Sequence, residues 1–335
     1  MKSDVVALPE VRQGHSLPPT RTSPGPVPPS GLGRRPRHLR KYVELTLLLG
    51  PALVLFVGFV LVPILVAGRY SLYNWNGMGP LTGFVGLHNY RVALDDPVFR
   101  GAIVHNLIIA GLSLLVQLPL SLALAFLLNR RLRGQSFLRL VTFAPYVLSE
   151  ATTAVVWLLM LQPGGFVDQV LKFLGLGGLV QLWLANTSIV LYTMFAVITW
   201  KYIGFGIILF LAGLQGIPAE LREAAALDGA TGRQSLRHVT LPLLGPTVRI
   251  WVFLSVIGSF QLFDLVWIMT EGGPANASDT MVTYLIYNGP TSSELGYGSA
   301  VAVLLFIICF VFALVYQRFA LRRDTAGAVT RMVGT

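Results

Sequence analysis

Residues Gly216–Pro246 read GIPAELREAAALDGATGRQSLRHVTLPLLGP, a polar segment between two long apolar runs. Helix start and stop signals follow one another along it. Pro218 suits the first turn of a helix, and Glu220 and Glu223 place negative charge toward that helix's positive end. Ala224, Ala225, Ala226 and Leu227 are strong helix formers, and Gly229 suits the left-handed residue that closes a helix. Thr231 and Gln234 have the spacing of a capping box and open a second helix. Pro242 and Pro246 are expected to end it. A slack linker needs none of these signals, so the stretch predicts a structured helix–turn–helix knuckle lying on a membrane surface.

The membrane is implied by what flanks the knuckle. Of 335 residues, 54% are apolar and 12% charged, about half the charged share of an ordinary soluble domain, and the mean hydropathy is +0.68. Six apolar runs are long enough to cross roughly 30 Å of hydrocarbon as helix: Leu45–Tyr70, Val104–Leu128, Leu138–Leu161, Ser188–Leu214, Thr247–Met269 and Ser299–Phe319. Pro51 and Pro63 in the first run and Pro119 in the second predict kinks. The fold class expected is all-α, a polytopic integral membrane protein with six transmembrane helices.

The net charge of +10 is not spread as a nucleic-acid groove; the basic residues sit beside the apolar runs. Arg34, Arg35, Arg37, Arg40 and Lys41 precede the first run, and Arg130, Arg131 and Arg133 follow the second. Arg222, Arg233 and Arg237 lie in the knuckle, and Arg318, Arg322 and Arg323 end the sixth run. The segments between are poorer in positive charge, so the knuckle and both termini are expected in the cytoplasm. The domain reading is a disordered, basic, Pro-rich leader at 1–41, a transmembrane domain at 42–320 containing the loop 216–246, and a cytoplasmic tail at 321–335. No cleavable signal is expected ahead of the first run. A single cysteine, Cys309, excludes an intrachain disulfide.

Glu223-Ala224-Ala225, Gly229 four residues further on, and Leu241-Pro242 resemble the cytoplasmic EAA loop of bacterial ABC-importer permeases. Val239 stands where that family favours Ile. Thr270-x-Gly272-Gly273-Pro274, Asp279-Thr280, the segment Tyr284–Tyr287 and Gly296–Ala300 are similar to one subclass, the first permease of maltose-, lactose- and glycerol-phosphate-type systems. Leu211–Gln215 and Asn129–Gly134 fit the same subclass. The likeness runs from the first apolar run to the last and leaves out the leader; between Asn288 and Gly296 the Phe expected from that subclass is missing. What it implies is a coupling helix that docks on an ATP-hydrolysing subunit through Glu223, Ala224, Ala225, Gly229, Leu241 and Pro242. The implied partners are a second permease, two ATP-binding subunits and an extracellular solute-binding protein, in a bacterial cytoplasmic membrane. ATP is then used by the partner, and no cofactor is bound by this chain. The implied cargo is a mono-, di- or oligosaccharide, with a polar non-sugar such as glycerol phosphate as the alternative.

Ionisable groups inside apolar runs must face protein or water. Lys201 lies near the middle of the fourth run, and Gln261, Asp264 and Trp267, spaced three apart in the fifth, fall on one face of a continuous helix. Polar groups beside an aromatic ring suit a sugar pathway, and a structural hydrogen-bond network between helices accounts for the same residues. Glu150 in the third run is a further candidate. The sequence has no GxxxxGK[ST] phosphate loop, its five histidines lack metal-ligand spacing, and no Ser/His/Asp set suggests itself, so no enzyme is expected. A stand-alone secondary transporter would carry internal repeats and more intramembrane carboxylates. A polytopic enzyme would cluster His, Asp or Glu at one membrane face.

Overall fold

A computed structural model describes residues 37–130 and 133–321. Leader residues 1–36, Arg131, Leu132 and tail residues 322–335 lie outside the described residues, and so do the expectations that rest on them. Among the described residues, regular structure is helical apart from one isolated bridge between Tyr73 and Phe84.

The chain divides into two units, residues 1–56 and 57–335. In the first, α1 (Arg37–Phe56) is the one described helix, with Pro51 inside it. Leu45, Leu47, Leu48, Leu53 and Phe56 are all exposed along it, and a helix apolar on every side is suited to lipid.

The second unit contains the remaining helices. They are α2 (Val62–Tyr70), α3 (His88–Asp95), α4 (Pro97–Leu112), α5 (Leu118–Leu128), α6 (Gln135–Val147), α7 (Glu150–Met160) and α8 (Phe166–Phe173). Then come α9 (Val190–Gln215), α10 (Ala219–Leu227), α11 (Gly232–Ser235), α12 (Leu241–Leu243) and α13 (Gly245–Phe260). α14 (Asp264–Thr270), α15 (Met281–Ile286) and α16 (Leu295–Tyr316) complete the order. α9 packs against α5, α6 and α13 and is the most buried of the long helices. Its close approach to α6 needs Gly204, where a Cβ would collide with the Thr142 carbonyl oxygen. One apolar cluster joins Ala154 of α7 and Met194 of α9 to Leu265 of α14. A second joins Phe99 of α4 to Met281, Tyr284 and Val301, and a third joins Leu128, Phe210 and Trp251.

Four helical stretches are long and apolar enough to cross a membrane: Leu45–Tyr70, Pro97–Leu128, Val190–Gln215 and Leu295–Ala320. Two expected spans are broken. The run read as one helix over Leu138–Leu161 is α6 and α7, bent by 99° between Val147 and Glu150. The run read over Thr247–Met269 stops at Phe260 and resumes at Asp264. The knuckle's second helix does not end at Pro242 as expected. Helix continues through Leu243 and turns by 60° into α13.

The prolines explain how these helices survive. Pro63, Pro119 and Pro242 each stand two residues beyond a π-helical turn, at Val57–Leu61, Ser113–Gln117 and Leu236–Thr240 respectively. A proline ring clashes with the carbonyl four residues back and lacks the N–H that would bond it. In each case that carbonyl lies in the widened turn, so the expected kink is absorbed by extra backbone.

Candidate functional site

The two broken spans and α9 enclose a cavity of about 380 Å³, within the size range of small-molecule sites. Ser113 and Gln117 reach it from the π-turn between α4 and α5, and Tyr146 and Glu150 from either side of the α6–α7 break. Tyr202 and Phe205 come from α9; Trp251, Ser259, Gln261 and Asp264 come from α13, its break and α14. Tyr146 stacks on Phe205 at 5.2 Å between ring centroids and meets Tyr202 edge-on. The lining is therefore partly aromatic and partly polar.

Breaking a helix in hydrocarbon frees backbone groups that need partners, and side chains of other helices supply them. At the first break, Leu148 and Ser149 are extended, and Ser149 restarts the helix by accepting from the Thr152 amide at 3.1 Å. The Lys201 ammonium donates to the freed Leu148 carbonyl at 2.6 Å, and the Tyr202 hydroxyl donates to Glu150. At the second break, Asn106 donates to the Ser259 carbonyl at 2.5 Å and accepts from the Met281 amide at 2.9 Å. The Thr280 hydroxyl donates to the Leu262 carbonyl at 2.9 Å.

These contacts separate the residues read from the sequence as one pathway group. Gln261 and Asp264 line the cavity, but the helix is interrupted between them, so the single helical face expected for Gln261, Asp264 and Trp267 does not exist. Trp267 is half-buried, stacked on Phe263 at 5.5 Å and outside the lining. Lys201, 3% exposed, is also outside the lining and caps α6. Sequence reasoning missed Ser113, Gln117, Tyr146 and Tyr202. The signal for the first break was present: Pro145 near a helix end, then Ser149 and Glu150 in the order of a helix cap and an acidic first turn.

The knuckle has the local structure read from its residues. Pro218 caps α10 rather than entering it. Gly229 has φ of +80°, the Ala230 amide donates to the Ala225 carbonyl at 2.9 Å, and the Gly229 amide donates to that of Ala226 at 3.0 Å. This is a Schellman stop. Thr231 and Gln234 form both halves of the capping box. Glu223 and Ala224 are exposed, Ala225 is half-exposed, and Leu227 is 90% exposed. Leu241 and Pro242 are exposed on the following helical stretch. The knuckle is rigid through its own hydrogen bonds while α10 stays open to a partner.

Long apolar helices with two broken ones around a polar cavity, and a capped knuckle left exposed, define a membrane transport protein. The chain belongs to the family of binding-protein-dependent transport system inner membrane components, whose profile matches residues 117–325. It is 34% identical over 276 residues to the probable ABC transporter permease protein YurN of Bacillus subtilis (strain 168), covering 82% of this chain and 94% of that one. It is 34% identical to the multiple sugar-binding transport system permease protein MsmF of Streptococcus mutans, over 81% of this chain and 92% of that one. With the sn-glycerol-3-phosphate transport system permease protein UgpA of Agrobacterium fabrum it shares 32%, over 83% and 94%. A chain in the crystal structure of a bacterial alginate ABC transporter, in complex with an alginate pentasaccharide-bound periplasmic protein, has the same fold. The TM-score is 0.75 at 21% identity, over 87% of this chain and 98% of that one.

Proposed function

We propose that the chain is the membrane-spanning permease subunit of an ATP-driven, binding-protein-dependent sugar importer, moving mono-, di- or oligosaccharides by alternating access. The observation that carries this reading is the cavity itself: hydrogen-bonding groups and an aromatic wall, gathered where two helices break in a family of transport permeases. Counting α6 with α7 and α13 with α14 as one span each gives six. The leader at 1–41, the loop at Arg130, the knuckle at 216–246 and the tail at 321–335 lie in the cytoplasm, in keeping with their positive charge. The membrane is the bacterial cytoplasmic membrane.

The exposed knuckle docks on an ATP-binding subunit through Glu223, Ala224, Ala225, Gly229, Leu241 and Pro242. A second permease closes the other side of the route, a pair of ATP-binding subunits hydrolyses ATP, and an extracellular binding protein delivers cargo. This chain performs no covalent chemistry and holds no cofactor; its work is differential binding of two states. Gln261 and Asp264 touch the cargo, with Trp267 and Lys201 holding the walls. Glycerol phosphate is the second reading, favoured by the likeness to UgpA.

Uptake of labelled sugars and ATPase activity, measured on the complete transporter, test the reading through Glu223→Lys. The variant is expected to insert and purify normally, lose uptake, and lose stimulation of ATP hydrolysis by loaded binding protein. Wild-type uptake by Glu223→Lys would sink the docking role. Failure of the unmodified transporter to take up any sugar would sink the sugar reading.

A further inference from the structure

We propose, building on the cavity as the sugar route, that its preferred cargo is a cationic sugar carrying a free amino group, selected by Asp264. The lining contains two carboxylates, Glu150 and Asp264, and no lysine, arginine or histidine. The Lys201 ammonium lies outside the lining, donates to the Leu148 carbonyl, and its charge acts on Glu150 rather than on Asp264. Glu150 already accepts from the Tyr202 hydroxyl. Asp264 is exposed to the cavity and has no hydrogen-bond or ion-pair partner among the described residues.

The lining also holds neutral groups ready for a ligand. Gln117 and Ser113 are 4% and 2% exposed, and their side chains have no hydrogen-bond partner among the described residues. Their polar atoms keep access to the cavity, where sugar hydroxyls would pair with them. Tyr146 and Phe205, stacked on each other, add aromatic surface to the lining for the ring of the sugar or a cation.

Charge then ranks the cargoes. A phosphate or uronate would bring a second negative charge up against Asp264, which no cation in this chain's part of the lining offsets. A neutral sugar would give Asp264 only neutral hydroxyl donors. An ammonium would give it a charge-assisted hydrogen bond, roughly twice as strong as a neutral one.

The test is direct binding to the purified complete transporter, without its binding protein. The probes share one backbone: chitobiose with free amines, neutral cellobiose and cellobiouronic acid, together with glucosamine, glucose and glucuronate. The amino forms are expected to bind at least about tenfold more tightly than the neutral ones, a difference of about 1.4 kcal/mol, and the acids not at all. Asp264→Asn should bring the amino-to-neutral ratio to near one, and Asp264→Glu should keep it, which separates lost charge from lost folding. Equal or tighter binding of the neutral forms, or any preference for the acids, overturns the inference and leaves the sugar reading intact. So does an unchanged ratio in Asp264→Asn. Binding of none of the six overturns this inference and the sugar reading together.

Discussion

Lys201→Met tests whether the buried lysine of α9 serves the fold or the cargo. Lys201 is 3% exposed and donates at 2.6 Å to the carbonyl freed where α6 stops. Methionine keeps the apolar stem and removes the donor, leaving the Leu148 carbonyl without that bond. A hydrogen bond to a charged group contributes about 1.5–3 kcal/mol, and part of its loss is returned because an ammonium no longer has to be buried. A net destabilisation of about 2 kcal/mol is therefore expected, within the about 1–3 kcal/mol of a stranded buried acceptor. The shift is about 2–4 °C per kcal/mol for 150–250 residues and smaller for a longer chain, so the melting temperature should fall by a few degrees. The assay is size-exclusion thermostability of the detergent-solubilised complex, run beside uptake per assembled complex with two competing sugars. Lower melting with unchanged selectivity is the expected result. Unchanged melting with altered selectivity would refute the capping role. Adding Asp264→Asn should restore nothing, because a carbonyl and not Asp264 holds Lys201.

Gly229→Val should cripple coupling, since φ is +80° and within this chain no heavy atom lies within 4 Å of the added Cβ, so the strain in the chain itself is that of the backbone. A cost of about 1–3 kcal/mol should lower uptake while leaving membrane insertion unchanged, and normal uptake would count against a rigid knuckle. In a Cys309→Ser background, a cysteine replacing Leu227, 90% exposed, should resist an impermeant thiol reagent in intact cells. A cysteine replacing the exposed Ser293 should react, and the reverse pattern would invert the topology. Asp168 accepts from the Trp183 indole and the Gly164 amide, each at 2.8 Å, and these bonds hold its carboxyl below the usual carboxylate range. Its folded pKa is lowered, so the stability it contributes is full above the unfolded value and is lost as pH falls through the folded one. Asp168→Asn should flatten the acid limb of melting temperature against pH; an identical acid limb in the variant would assign that dependence elsewhere.

Helix content and the length of the apolar runs were legible because both are local sums along the chain. The breaks were not, because a hydropathy window cannot distinguish a straight apolar helix from two helices meeting at 99°. Leu148 and Leu262 are apolar residues whose carbonyls are freed by the turn, and only distant partners make that turn tolerable. Proline was legible as a disturbance but not as a particular shape. At Pro63, Pro119 and Pro242 the widened turn keeps the helix going where a stop or a sharp kink is the simpler expectation.

The knuckle and the cavity differ for the same reason. The hydrogen bonds that stop and restart the helix in the knuckle span at most five residues: Thr231 with Gln234, Gly229 with Ala226, and Ala230 with Ala225. Its form therefore follows from residues within about one helical turn of each other, and a reading of caps recovers it. The cavity has no such locality. Gln117, Glu150, Tyr202 and Asp264 come from four parts of the chain, and Asn106 reaches across 175 positions to the Met281 amide. The pairing of Tyr202 with Glu150 spans 52 positions. An intramembrane charge can be recognised from sequence as costly, but whether it faces the cargo or a carbonyl depends on these long-range partners. That is why Lys201 and Asp264, alike in sequence as isolated charges in apolar runs, part in the structure. One fills the gap in a broken helix, and the other is left facing the cavity.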